Sequence, residues 1–133
     1  MGVNIKAKSY KYEISADKLK PEYIVLYESG DTVTENAIMV ASKIPGKTVI
    51  KFASANYQVQ DLCFFLEKLG VQIEGIGTTT LTIHGKEDID IPVTYYLSED
   101  PIESMFFISA AILTESSITI ERCPIDFLEI ELL

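Results

Sequence analysis

The 133-residue sequence contains no tryptophan, one histidine, one arginine and two cysteines, and each shortage removes a class of chemistry. With His84 as the sole imidazole there is no histidine cluster for zinc and no partner for a histidine-based triad. Placed at the end of a strand before Gly85, it reads as an exposed residue. Cys63 falls on the apolar stripe of a helix and Cys123 at a strand end, so both read as reduced packing residues of a cytosolic chain rather than a disulfide. No arginine precedes Arg122, the lysines are dispersed, and the net charge is −9. Nucleic acid, whose backbone demands clustered cations, is therefore excluded as a partner. The same balance argues against this chain alone gripping a highly anionic small molecule, and the acidic surplus reads as a solubility feature. No window supplies the run of about 20 apolar residues that a membrane helix needs, and the first residues lack a signal-type apolar region. No metal and no cofactor are expected.

What the sequence does have is apolar periodicity, with 47% hydrophobic residues, enough for one sizeable core. The stretch Thr34–Gly85 predicts helix, strand, helix and hairpin in close succession. Val33, Ala37, Ile38, Val40, Ala41 and Ile44 recur at helical spacing, and Pro45-Gly46 ends that helix. Thr48, Val49, Ile50 and Phe52 form a β-branched strand. Val59, Leu62, Cys63, Leu66 and Leu69 line one face of a second helix that stops at Gly70, a C′ glycine. Val71, Ile73 and Ile76, then Leu81 and Ile83, alternate about Gly77-Thr78-Thr79 as a hairpin. Gly75-Ile76-Gly77 lies between two strands and not before a helix, so it is turn chemistry and not a phosphate loop.

Around this centre, Tyr10, Tyr12 and Ile14 predict an opening strand and Tyr23–Leu26 another. Thr32-Val33-Thr34-Glu35 has capping-box spacing, Thr32 accepting from an early helix amide and Glu35 reaching back. A helix start after a glycine can hold a phosphate, but Asp31 and Glu35 already place negative charge there, which favours capping. Ile89, Ile91, Val93 and Tyr95 predict a further strand. Asp100-Pro101-Ile102-Glu103 is a second helix start, with Asp100 as N-cap, proline at N1 and Glu103 at N3. The two carboxylates could serve as an acid/base pair, against the simpler reading that both belong to the cap. The following MFFISAAIL is apolar nearly all round and predicts a helix buried on most sides. Phe64, Phe65, Phe106 and Phe107 are expected in the core. Ile118 and Ile120 predict a strand, and Ile125–Leu133 the start of another helix.

A repeat is visible. Glu35 and Glu103 open apolar helices 68 positions apart, and Asp61 and Glu129 share that offset. One unit over residues 10–85 and an incomplete second over 89–133 would stack within a single domain.

TENAIMVASKIPGKTVI, QDLCFFLEKLGVQIEGIGTTTLTIHG and EDPIESMFFISAAIL resemble the enolpyruvyl transferases, and within them the branch that uses UDP-N-acetylglucosamine for peptidoglycan precursors. The resemblance runs from about Ile5 to the last residue. It implies an α/β (α+β) fold of the inside-out barrel type, built from βαβαββ units with buried helices. It also implies enolpyruvyl transfer from phosphoenolpyruvate to a sugar-nucleotide hydroxyl. By the same resemblance Thr32, Thr34 and Glu35 would lie nearest the nucleotide, and Asp100 and Glu103 nearest a domain junction. Cys63 and Cys123 do not match the family's reactive-cysteine loop.

The sequence departs from the family where it would touch anions. Gly30-Asp31-Thr32 stands in place of Ser-Val-Gly, Ala55-Asn56-Tyr57-Gln58 in place of Arg-Glu-Pro-Glu, and Asp100-Pro101-Ile102-Glu103 in place of Asp-Arg-Ile-Glu. Each lost charge-assisted contact is worth about 1.5–3 kcal/mol. The expectation is a cytoplasmic domain or fragment of this type, not competent alone, with UDP-N-acetylglucosamine as candidate ligand and a missing second domain. The alternative is a non-catalytic scaffold acting through protein partners or self-association, burying Ile125, Phe127, Leu128, Ile130 and Leu132-Leu133.

Overall fold

The computed structural model describes residues 1–133 and divides into two compact units, Met1–Tyr95 and Tyr96–Leu133. The first opens with a hairpin that the sequence only half reveals. Strand β1 (Asn4–Lys8) pairs antiparallel with β2 (Lys11–Ser15) as a separate two-stranded sheet. Its lysine-laced first strand lacks the long apolar alternation by which β2 is recognised.

A mixed four-stranded sheet follows, made of β3 (Tyr23–Val25), β4 (Gly46–Lys51), β5 (Gln72–Glu74) and β6 (Thr80–Gly85) in the order β3-β4-β6-β5. β3 lies parallel to β4, with Ile24 opposite Ile50, while β6 runs antiparallel to both neighbours. Helices α1 (Asp31–Ser42) and α2 (Tyr57–Lys68) link the strands, so β3 to β6 and the two helices read βαβαββ. The core joins them in one cluster. Ile38 and Ala41 of α1, Ile50 of β4, Val59 and Cys63 of α2, and Leu81 and Ile83 of β6 are its best-buried members.

Two glycines are required by geometry. Gly70 has φ +82 just beyond α2, the left-handed exit proposed for it. Gly85 is different. A Cβ there would overlap the carbonyl oxygens of Ala41 and Ile44, so the end of β6 passes against the end of α1 with no room for a side chain.

The start of α1 corrects the sequence reading. The helix begins at Asp31 with Gly30 as an extended N-cap that offers no side chain, so Thr32 and Glu35 do not form a capping box. Thr34 is instead buried, and its hydroxyl donates to the Gly30 carbonyl at 2.7 Å while accepting from the Ser54 amide at 3.0 Å. Tertiary bonding to the β4–α2 turn has displaced a purely local cap.

Residues 89–95 form no strand. Alternation marks a segment that could pair and not one that does, and here its last residue is held through its side chain. Tyr95 donates its hydroxyl to Asp61 Oδ1 at 2.8 Å and packs edge-on against Phe65 at 5.6 Å.

In the Tyr96–Leu133 unit, α3 (Pro101–Leu113) starts as expected, the Asp100 carboxylate accepting from the Ile102 amide at 2.8 Å. The expected all-round burial is absent, for only Pro101 and Ser104 of α3 are buried. Phe106 and Phe107 are exposed, as is Phe64 in α2, so these three phenylalanines are not core residues. Ile118 and Ile120 lie outside any strand, and the C-terminal segment has only a 3-10 turn at Ile125–Phe127 where a helix was expected. A helix buries its faces only against other layers, and this unit holds one helix, one 3-10 turn and no strand. Leu128 alone of its C-terminal apolar residues is buried.

Candidate functional site

Because β3 and β4 are parallel, their carboxyl ends open on the same edge, and each feeds a helix start. In open α/β sheets that edge is where ligands bind. Here it is built by residues 27–35 and 52–57. Ser29 donates to the Ala53 carbonyl at 3.2 Å, tying the two loops together. Asp31 accepts from the Ser54 hydroxyl and from Asn56 Nδ2, the latter at 2.8 Å. Asn56 in turn caps α2, its Oδ1 accepting from the Tyr57 amide at 2.7 Å. One carboxylate at the first turn of α1 thus fixes the start of α2.

That arrangement sets the electrostatics. The N-terminal end of a helix favours an anion, and Asp31 supplies one from within the chain. Glu28 and Glu35 add carboxylates on the same loop and helix. Two aromatic rings flank the edge, Tyr27 fully exposed and Phe52 largely so. Phe52 holds φ +62, a conformation that costs a non-glycine residue about 1–3 kcal/mol. The edge can donate hydrogen bonds and offer ring faces, but its charge opposes a diphosphate.

Of the sequence-predicted residues, Thr32, Thr34 and Glu35 all come to this edge. Thr32 is exposed, its carbonyl accepting from Asn36 Nδ2 at 2.8 Å, Glu35 is half-buried, and Thr34 is the fastener described above. Asp100 and Glu103 belong to the other unit, where Asp100 caps α3 and Glu103 sits exposed in its first turn. The Asp31–Ser54–Asn56 network was missed by sequence reasoning. A signal existed in Ser54 and Asn56, both cap-forming types just before the second helix.

Elsewhere the chemistry is quiet. Burial pushes the Cys63 thiol up to about 12, with Glu67 adding to the effect, so it is no nucleophile. Burial, then the hydrogen bond to Asp61, raises Tyr95 to about 12. Lys8 and Lys11 hold the Glu13 carboxyl below its ordinary value on the hairpin. His84 is half-exposed and lies 3.0 Å from Glu74 across the β5–β6 pair. A groove of about 450 Å³ runs along α1, lined by Leu19, Asn36, Met39, Val40, Lys43 and Ile44, and holds no catalytic set. No three His, Cys, Asp or Glu side chains converge on a common point. No helix is long and apolar enough to cross a membrane.

A βαβαββ unit with its open edge at paired helix starts defines a mixed α/β repeat class. The chain belongs to the family described as EPSP synthase (3-phosphoshikimate 1-carboxyvinyltransferase), whose model matches residues 1–133, and it is an enolpyruvyl transferase-type domain. It is 37% identical over 128 residues to a UDP-N-acetylglucosamine 1-carboxyvinyltransferase of Bradyrhizobium diazoefficiens, covering 96% of this chain. To the protein of that name in Bacteroides fragilis it is 39% identical over 111 residues, covering 84% of this chain. Among solved structures, the enolpyruvyl transferase NikO from Streptomyces tendae superposes with a TM-score of 0.64 and 26% identity over 83% of this chain. The chain spans 29% of the Bradyrhizobium protein, 25% of the Bacteroides protein and 28% of NikO.

Proposed function

We propose that this chain forms one wall of a sugar-nucleotide site in a cytoplasmic enolpyruvyl transferase of the inside-out barrel type, and that it does not carry out the transfer by itself. The transfer would join phosphoenolpyruvate to a hydroxyl of UDP-N-acetylglucosamine, for peptidoglycan precursors. The observation that carries the reading is the family match over all 133 residues, set beside a carboxyl edge whose two loops carry Glu28, Asp31 and Glu35 and no cation, while Lys51 at the end of β4 donates to Thr80. Thr32 and Glu35 flank the nucleotide in this reading, Thr34 holds the edge in shape, and Asp100 and Glu103 start the helix nearest the domain junction. The free thiols Cys63 and Cys123 suit a reducing compartment.

Two measurements test it. Incubated with phosphoenolpyruvate and UDP-N-acetylglucosamine, the isolated chain should release no phosphate above background, and turnover would refute its incompetence. Titrated with UDP-N-acetylglucosamine, its amide NMR signals should shift at residues 27–35 and 52–57. Shifts confined to other residues would remove the site.

The exposed apolar residues of the Tyr96–Leu133 unit favour a second reading, a non-catalytic scaffold working through protein contacts. Leu128 is already buried in the chain, so the surface for such contacts would draw on Ile125, Ile130, Leu132 and Leu133 and on α3. Light scattering over a wide concentration range would discriminate, a clean monomer leaving that surface without a partner.

A further inference from the structure

Residues 86–95 leave β6 and close the Met1–Tyr95 unit, and their two ends are held in different ways. The near end is fixed at its backbone. Gly85 lies against the Ala41 and Ile44 carbonyls, and the Lys86 amide donates to the Ser42 carbonyl at 2.9 Å. Lys43 Nζ donates to the Glu87 carbonyl at 2.6 Å. The far end is fixed by a side chain. The Tyr95 hydroxyl donates to Asp61 Oδ1 at 2.8 Å, 3.2 Å from the backbone carbonyl of the same residue, and the ring meets Phe65 edge-on. Asp61 and Phe65 stand one turn apart on α2.

Between these ends the backbone belongs to no ladder. Residues 88–95 lie in no helix or strand, and Pro92 has no N–H to give to one. The Asp90 amide turns back on the Asp88 carboxylate at 3.3 Å, a bond within the segment itself. Ile89 rests half-buried against the hydrophobic core. A segment with few buried contacts and no ladder opens at a free energy below that of global unfolding. Here that takes release of one hydrogen bond to a carboxylate, one ring contact and one isoleucine. Ile38, Ile50, Cys63 and Ile83 remain closed over one another.

We propose that residues 88–95 form a releasable strap, hinged at Glu87 and latched on α2 by Tyr95, which opens and closes while the βαβαββ core stays folded. The latch sets the length of free chain that precedes residue 96. That length is nil while the bond to Asp61 holds, and it is residues 88–95 once the bond breaks. The strap needs no ligand and stands apart from the sugar-nucleotide reading.

Thiol labelling of the full chain in increasing urea, resolved by peptide mass, tests it. Cys63 is wholly buried and reports opening of the core, while Ile89→Cys places a second thiol in the strap. The thiol at position 89 should react about tenfold or more faster than Cys63 and with weaker urea dependence, because less surface opens. Adding Tyr95→Phe keeps the ring and removes the bond, and a hydrogen bond to a charged group is worth about tenfold or more in the open population. Labelling at position 89 should rise by that factor with Cys63 unchanged. Equal rates and equal urea dependence at the two thiols would overturn the strap, since position 89 would then open only with the core. A rise at both thiols together, or at neither, would overturn the latch. Because Ile89→Cys itself removes packing, the comparison is repeated with Val93→Cys at a half-buried position. The proposal fails unless both positions respond alike to Tyr95→Phe.

Discussion

The two compact units of this chain carry equally strong local signals and use them differently. Met1–Tyr95 contains ten lysines against twelve acids, and its best core residues, Ile38, Ile50, Cys63 and Ile83, are wholly buried. Tyr96–Leu133 contains one arginine against eight acids, and its helix has the higher apolar content but leaves Phe106, Ile112 and Leu113 in solvent. Both α2 and α3 have an asparagine or aspartate cap of known geometry. The difference lies in the second layer. A well-capped apolar helix becomes a core only where strands or other helices meet it, and α2 has β5 and α1 where α3 has one 3-10 turn in its own unit.

The sharpest way to break this comparison is to cut side chains in both units. Ile83→Ala should cost about 2–5 kcal/mol in urea unfolding, since it opens a cavity in a closed core. Phe106→Ala should stay within about 0.5 kcal/mol, as exposed substitutions do, and equal costs would show that α3 is packed after all. Next in size is Thr34→Val, which keeps the shape but leaves the buried Ser54 amide without its acceptor, at about 1–3 kcal/mol. Thr34→Ser should recover most of that loss. Asp100→Ala should cost about 1 kcal/mol of α3 stability, read as faster amide exchange in residues 102–104 with the first unit unaffected.

The smallest effect is alkaline. Tyr95 is held neutral by burial and by Asp61, its pKa raised to about 12. A group raised in the folded state contributes stability that is whole below its unfolded value of about 10. That contribution is lost as pH climbs toward the folded value. In a spectrophotometric titration Tyr95 should therefore ionise late among the seven tyrosines, and Tyr95→Phe should remove that late step.

The βαβαββ order, the exit at Gly70 and the Asp100 cap were legible because each is written in neighbouring residues. The capping box read at Thr32 does not form; what stands there instead, the bonds of Thr34 to Gly30 and to Ser54, 20 positions on, was not legible. Ile89–Tyr95 and Ile118–Ile120 alternate like strands, yet alternation states which side of a segment is apolar and not whether a partner edge awaits it. The burial of α3 failed for a related reason, since periodicity describes the helix and says nothing of its surroundings. Of the candidate edge, Thr32, Thr34 and Glu35 lie on α1, and the charge of Asp31 was legible, but its bonds to Ser54 and Asn56, more than 20 positions on, were not.

Gly85 buries no side chain and forms no part of the hydrophobic cluster, yet carbonyl oxygens of Ala41 and Ile44 occupy the space a methyl would need. Selection at such a position acts on volume alone, with no chemistry to trade against it. A deep mutational scan should therefore rank residue 85 among the least forgiving in the chain, level with the buried isoleucines of the core. In a diverging lineage that strand end would keep its glycine long after the charged edge at the far side of the sheet had changed allegiance.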